Sequence, residues 1–195
     1  NQAFAAQPDL KKQFWASHIN YILNIKKGED GKAEALALVA EIENSGKADE
    51  LDLLLAARSY DKLGQADKSK AAKEKIRLTW PNGILVKQEK RKTIEMDPDL
   101  AKVEEMITAY ANQFPPQNSD DKKTVNQLSA NLASKYGDQQ NWEKFRSIAA
   151  QLSDPERASL YNNFAWELAE KGVSLDESSQ MAAVATEIAK REITT

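Results

Sequence analysis

Cysteine is absent from the 195 residues, and histidine occurs once, at His18. Without a thiol there is no disulfide, no zinc–thiolate site, no thiol nucleophile and no Cys-x-x-C redox pair. A single imidazole cannot build a His-rich metal site, and no serine and carboxylate are spaced to complete a triad with it. Long apolar runs are also missing. None approaches the ~20 residues that a membrane-spanning helix needs; the richest, residues 51–57, is short. Neither charge sign dominates: a net charge of -3 and a pI near 5.4 supply no general attraction to nucleic acid or to an anionic membrane. A phosphate-cradling loop is lacking as well. Gly28 and Gly31 bracket Glu29 and Asp30, which carry the wrong charge, and no G-K-[ST] follows. The chain begins at Asn1 rather than Met, which reads as a mature or cut product, with Ala3-Phe4-Ala5 as a faint trace of a processing site.

What is present is a globular composition, 41% hydrophobic and 29% charged. The apolar residues recur at helical spacing and nowhere alternate with period two, so the expected fold is all-α with no strands. Leu10, Phe14, Ile19 and Ile22 share a first stripe with Trp15 beside it. Leu36, Val39 and Ile42 follow, then Leu51, Leu54, Leu55 and Tyr60, then Ala72 and Ile76. A short helix covers residues 84–94. Leu100, Val103, Ile107 and Tyr110 mark the next, followed by Leu128, Leu132 and Tyr136, and by Trp142, Phe145, Ile148 and Leu152. Leu160, Phe164 and Leu168 precede Met181, Val184 and Ile188.

The glycines (Gly28, Gly31, Gly46, Gly64, Gly83, Gly137 and Gly172) are expected between helices, as left-handed caps or turns. Pro8, Pro98 and Pro155 are expected to open helices, with Asp97 and Asp154 as N-caps, and Ser174 to Glu177 reads as a capping box. Successive hairpins then start near Pro8, Ala48, Gly83, Ser119 and Pro155, at steps of 40, 35, 36 and 36 residues. A steady step of this size is the mark of stacked helix–turn–helix repeats. Residues 1–195 are therefore read as one all-α domain of about five antiparallel helix pairs. The Pro115-Pro116 pair is a turn within it, not a linker.

Two stretches resemble tetratricopeptide repeats. One comprises Leu53, Ala56, Ala57, Tyr60, Gly64, Ser69 and Pro81, departing from the pattern at Lys73 and Ile76. The other comprises Tyr161, Phe164, Ala165, Leu168, Gly172, Ser178, Ala182 and Ala185, with one inserted residue. This resemblance implies a right-handed stacked array. The phrase Tyr161-Asn162-Asn163-Phe164-Ala165-Trp166-Glu167-Leu168, with Gly172 and the Leu175-Asp176-Glu177 opening, is similar to the helical region of certain bacterial thioredoxin-like thiol–disulfide oxidoreductases. Trp80-Pro81-Asn82-Gly83 and the later Asp97-Pro98 are similar to the same region. The resemblance implies an extracytoplasmic (periplasmic) protein in which this chain is the accessory, non-redox part.

Candidate functional residues are few. Residues 65–92 hold nine cations against three carboxylates, a balance of +6, with Trp80 inside the stretch. Lys73, Arg77, Trp80, Lys87, Lys90 and Arg91 form a candidate docking patch for an acidic protein or a neighbouring domain, against the plainer reading of a solvated helix face. Asn163 falls near a position where some tetratricopeptide domains clamp a peptide carboxylate, though the basic residues of that clamp are missing; an inter-helix hydrogen bond is its plainer role. Trp142, Phe145, Phe164 and Trp166 read as core. The pairs Asp97/Asp99, Glu104/Glu105 and Asp120/Asp121 could in principle perform paired-carboxylate chemistry, but capping and helix-dipole complementarity account for them. The expectation is a non-enzymatic interaction domain with no catalytic residue, metal or cofactor, no nucleic-acid partner and no membrane span. The alternative is a carbohydrate-binding or glycan-processing domain that uses groove carboxylates and tryptophans.

Overall fold

The computed structural model describes residues 8–25, 28–46 and 48–193, with side chains from Phe14 to Arg191 within them. Ten α-helices and no strand occur among the described residues. They are α1 (Pro8–Ile25), α2 (Glu29–Asn44), α3 (Glu50–Lys62), α4 (Ala66–Thr79), α5 (Ile84–Met96), α6 (Leu100–Gln113), α7 (Ser119–Asp138), α8 (Trp142–Ala149), α9 (Asp154–Lys171) and α10 (Leu175–Ile193). The all-α expectation holds, and the helices follow one another as five pairs whose first members are α1, α3, α5, α7 and α9. The chain divides into two compact units with the boundary between Gln88 and Glu89, inside α5.

In the first unit, α2 packs on α1 and on α3, and α3 on α4. Trp15, Ile19 and Ile22 of α1 meet Ala35, Leu38, Val39 and Ile42 of α2 and Ala56 and Tyr60 of α3. The first stripe is rotated by one position from expectation. Trp15 is 6% exposed, whereas Phe14 is 49% exposed. One residue is 100° of helix, and the spacing 15, 19, 22 closes a tighter seam with Ile19 and Ile22 than 14 does. Leu10 and the Ala3-Phe4-Ala5 segment lie outside the described side chains. On α3 Leu53 is buried, two positions from the expected Leu51, which is exposed. Ala56, Ala57 and Ser69 are almost fully buried, and such small side chains let helices approach closely. A second cluster joins Leu53, Leu54, Ile76 and Leu85, with Trp80 packed against it.

In the second unit, α6 packs on α7, α7 on α8 and on α9, and α9 on α10. The centre is aromatic. Phe145 is fully buried, stacks on Tyr161 at 5.5 Å between centroids, and meets Phe164 at 4.9 Å and Trp142 at 6.2 Å. The Ser178 hydroxyl donates to the Ala165 carbonyl at 2.7 Å, which fixes the close approach of α10 to α9. Val184, expected on the α10 stripe, is exposed and Ala185 takes the buried place.

The helix ends differ in detail from expectation. Gly31 lies within α2 and Gly137 within α7, so neither is a break. Asp99, not Asp97, caps α6, its carboxylate accepting from the Ala101 and Lys102 amides, and Pro98 stays outside the helix. Asp154 is the first residue of α9 and Ser153 its N-cap. Ser174 adopts a left-handed φ of 47°, and the Glu177 carboxylate binds Arg146 at 2.6 Å. A reciprocal capping box forms instead at the start of α3, between Asp49 and Asp52.

Candidate functional site

In the first unit, the basic residues are held close to their own helices. Lys73 reaches across to Asp61 of α3 at 2.7 Å, and that hydrogen bond is the main cause of an Asp61 pKa below the usual carboxylate range. Arg77 pairs with Glu74 one turn back at 2.9 Å. Lys68 sits 5.7 Å from the centre of the Tyr60 ring. Trp80 is half-buried against Leu53, Leu54, Ile76 and Leu85, so its indole belongs largely to the core. Lys87 is half-buried on α5.

In the second unit, Arg91 pairs with Glu95 at 2.7 Å, and Lys90 donates to the Gln113 side-chain carbonyl. The basic run therefore belongs to two separate compact units and is largely engaged with local acceptors.

The expected carboxylate pairs take structural roles. Asp97 accepts from the Asp99 amide at 3.0 Å and from Lys102 at 2.5 Å; the lysine hydrogen bond is the larger cause of its lowered pKa. Glu104 binds Lys144 of α8 at 2.9 Å and thereby raises the lysine pKa. Asp120 and Asp121 occupy the first turn of α7, where Asp121 accepts from the Gln117 amide at 3.1 Å. Among the described residues, no three His, Asp or Glu side chains converge as metal ligands. His18, half exposed, lies 4.0 Å from Glu34.

Asn163 is placed differently. The first helices of the last two pairs, α7 and α9, lie side by side, and a groove of about 370 Å³ runs between them. Gln127, Ala130, Asn131 and Ser134 line it from α7, at i, i+3, i+4 and i+7. Glu156, Ser159, Leu160 and Asn163 line it from α9 at the same spacing. One helical face repeats with this period, so two such rows make a continuous trough. The Asn118 cap, whose side chain accepts from the Asp121 amide at 2.9 Å, starts α7, and Pro155 in the first turn of α9 starts the opposite wall.

No cation lines this groove, and its one carboxylate is already bound. Glu156 accepts from the Asn126 amide at 2.6 Å and from the Ser153 hydroxyl at 2.8 Å. Gln127 donates to Asn131 at 3.0 Å, which orients both amides. The Asn163 side chain is exposed and makes no hydrogen bond among the described residues, so the expected inter-helix bond is not its role. Each amide both donates and accepts, and each serine hydroxyl does the same. Such a lining suits neutral polar groups such as peptide amides or sugar hydroxyls, and offers no cation to a phosphate or a free carboxylate. Trp166, expected in the core, is 65% exposed on α9, three residues beyond Asn163. Sequence reasoning found Asn163 but missed Gln127, Asn131, Ser134 and Ser159, whose common signal is an uncharged polar row at helical spacing.

Comparison with family models, with curated proteins and with solved structures returns no match.

Proposed function

We propose that this chain is a non-catalytic helical-repeat interaction domain that holds an extended segment of a partner protein in the α7–α9 groove. The observation that carries this reading is the uncharged row of Gln127, Asn131 and Ser134 facing Ser159 and Asn163. An extended backbone presents one donor and one acceptor per residue, and side-chain amides satisfy both at once. The partner is the accessory domain's own thioredoxin-like module or a substrate of it, on an extracytoplasmic protein. That association rests on the Tyr161–Leu168 and Trp80–Gly83 phrases. A complete reading frame without a thioredoxin-like segment bearing Cys-x-x-C overturns it.

The groove is tested by selection from a displayed library of random extended peptides, followed by titration of the enriched sequences. Asn163→Ala and Asn131→Ala each remove exposed amide groups and are expected to weaken binding about fivefold, the equivalent of one net hydrogen bond of ~1 kcal/mol. No enrichment, or affinities that neither substitution changes, refutes the reading. A glycan is a second reading, favoured by the exposure of Trp166, because a sugar ring stacks on an open indole. It predicts glycan-array binding that Trp166→Ala abolishes.

A further inference from the structure

The second unit contains a cavity that the reading above does not use. It lies between α5 and α6, measures about 240 Å³, and is lined by Lys90, Thr93, Ile94, Met106, Ala109 and Tyr110. Ile94 and Tyr110 are buried, at 3% and 6% exposure, so its floor is part of the apolar interior. Ala109 leaves space where a larger side chain would close the pair. Two polar groups border it. The Tyr110 hydroxyl makes no hydrogen bond among the described residues, and its ring is fixed edge-on against Phe114 at 4.8 Å. Lys90 lines the same cavity, and its ammonium is tied across the pair to Gln113. It uses one of its three donors there and keeps two. Burial pushes the Tyr110 phenol up, which keeps it protonated and able to donate.

We propose that the α5–α6 cavity binds a small apolar carboxylic acid, with its hydrocarbon tail against Ile94, Met106 and Ala109 and its carboxylate on Lys90 and the Tyr110 hydroxyl. Size and chemistry both point to this class. At water's ~30 Å³ per molecule of liquid, the space holds about eight heavy atoms, the size of a short-chain acid. The walls are apolar, and the free polar groups are a cation and a neutral hydroxyl. An ionised carboxylate satisfies both through charge-assisted hydrogen bonds, whereas an amine would be repelled.

The test uses the whole chain with 13C-labelled methionine methyls, titrated with hexanoate, hexan-1-ol and acetate at pH 7. Met181, buried in α10, serves as an internal reference away from the cavity. Hexanoate is expected to move the Met106 methyl saturably and leave Met181 unmoved. Lys90→Met should weaken hexanoate about tenfold and hexanol less than about twofold, and Tyr110→Phe should weaken hexanoate severalfold. Lys90 is exposed, so Lys90→Met leaves the core intact, and unchanged Met181 and backbone spectra verify this. No Met106 shift overturns the proposal. So does hexanoate binding that survives Lys90→Met unchanged, or an equal loss for hexanol.

Discussion

Gly137→Ala is the sharpest single test of the packing. Gly137 lies in the last turn of α7 with ordinary helical backbone, so propensity alone predicts a gain of about 0.8–1.0 kcal/mol for alanine. The neighbours predict the opposite. An alanine Cβ would stand 2.8 Å from Phe164 Cζ and 3.1 Å from Phe145 Cδ2, and closer still to Phe164 Cε1. These are ring atoms in the aromatic cluster. Phe164 is held by Phe145, and Phe145 is fully buried between Phe164 and Tyr161. Neither ring can rotate away as the end of a flexible chain could. Overpacking of this kind costs about 1–3 kcal/mol, so the net effect is a loss of roughly 0–2 kcal/mol after the propensity gain. The assay is equilibrium urea unfolding followed by far-UV circular dichroism and by tryptophan fluorescence, to which Trp142 contributes from the cluster edge. Phe164→Leu supplies the control. It destabilises alone, but should relieve the alanine in the double variant, giving a coupling of at least about 0.5 kcal/mol. A stabilisation of ~1 kcal/mol by Gly137→Ala, with no coupling, refutes the reasoning.

Two further outcomes follow from individual contacts. Glu50 of α3 accepts from the Leu85 amide at 2.9 Å and so caps α5 from 35 residues away; Glu50→Ala should cost about 1 kcal/mol and Glu50→Gln less, read as shifts in the urea midpoint. Tyr60 donates to Glu43 at 2.6 Å, and burial first, then that hydrogen bond and the Glu43 charge, hold its pKa well above the ordinary 10.0. Because the folded value is raised, its contribution is fully present below pH 10 and is lost as pH climbs above that toward the folded value. Tyr60→Phe should therefore lower stability at pH 7 by about 1 kcal/mol and flatten the fall above pH 10; an unchanged alkaline slope would disprove the assignment.

The helices and their pairing were legible because aliphatic residues in α6 and α7 leave little choice. Leu100, Val103, Ile107 and Tyr110 all face one way at 3.6-residue spacing, and all four are buried. Rotation was less legible where two large apolar residues adjoin. Phe14 or Trp15, Leu51 or Leu53, and Phe164 or Trp166 differ by 100° or 200° of helix, and only the position of the neighbouring helix decides between them. Gly137 was misread for a related reason. Glycine marks a break when judged locally, but here it makes room for an aromatic ring brought in from α9, 27 residues later in the sequence. The α5–α6 cavity had no signal at all, because it is the volume that Ala109 does not fill.

The basic run shows how local ion pairs offset a charge counted along the chain. Its balance of +6 counts only residues 65–92, yet Lys73 is answered by Asp61 from outside that window and Arg91 by Glu95 just beyond its end. Arg77 is answered within it by Glu74. Exposed pairs of this kind contribute about 0–1 kcal/mol to stability, but each also removes a cation from the field a partner would meet. Recognition is better sought where polar groups are neither paired nor screened. The α7–α9 groove meets that condition through Asn163, because its uncharged amide keeps its donors and acceptor open to a partner.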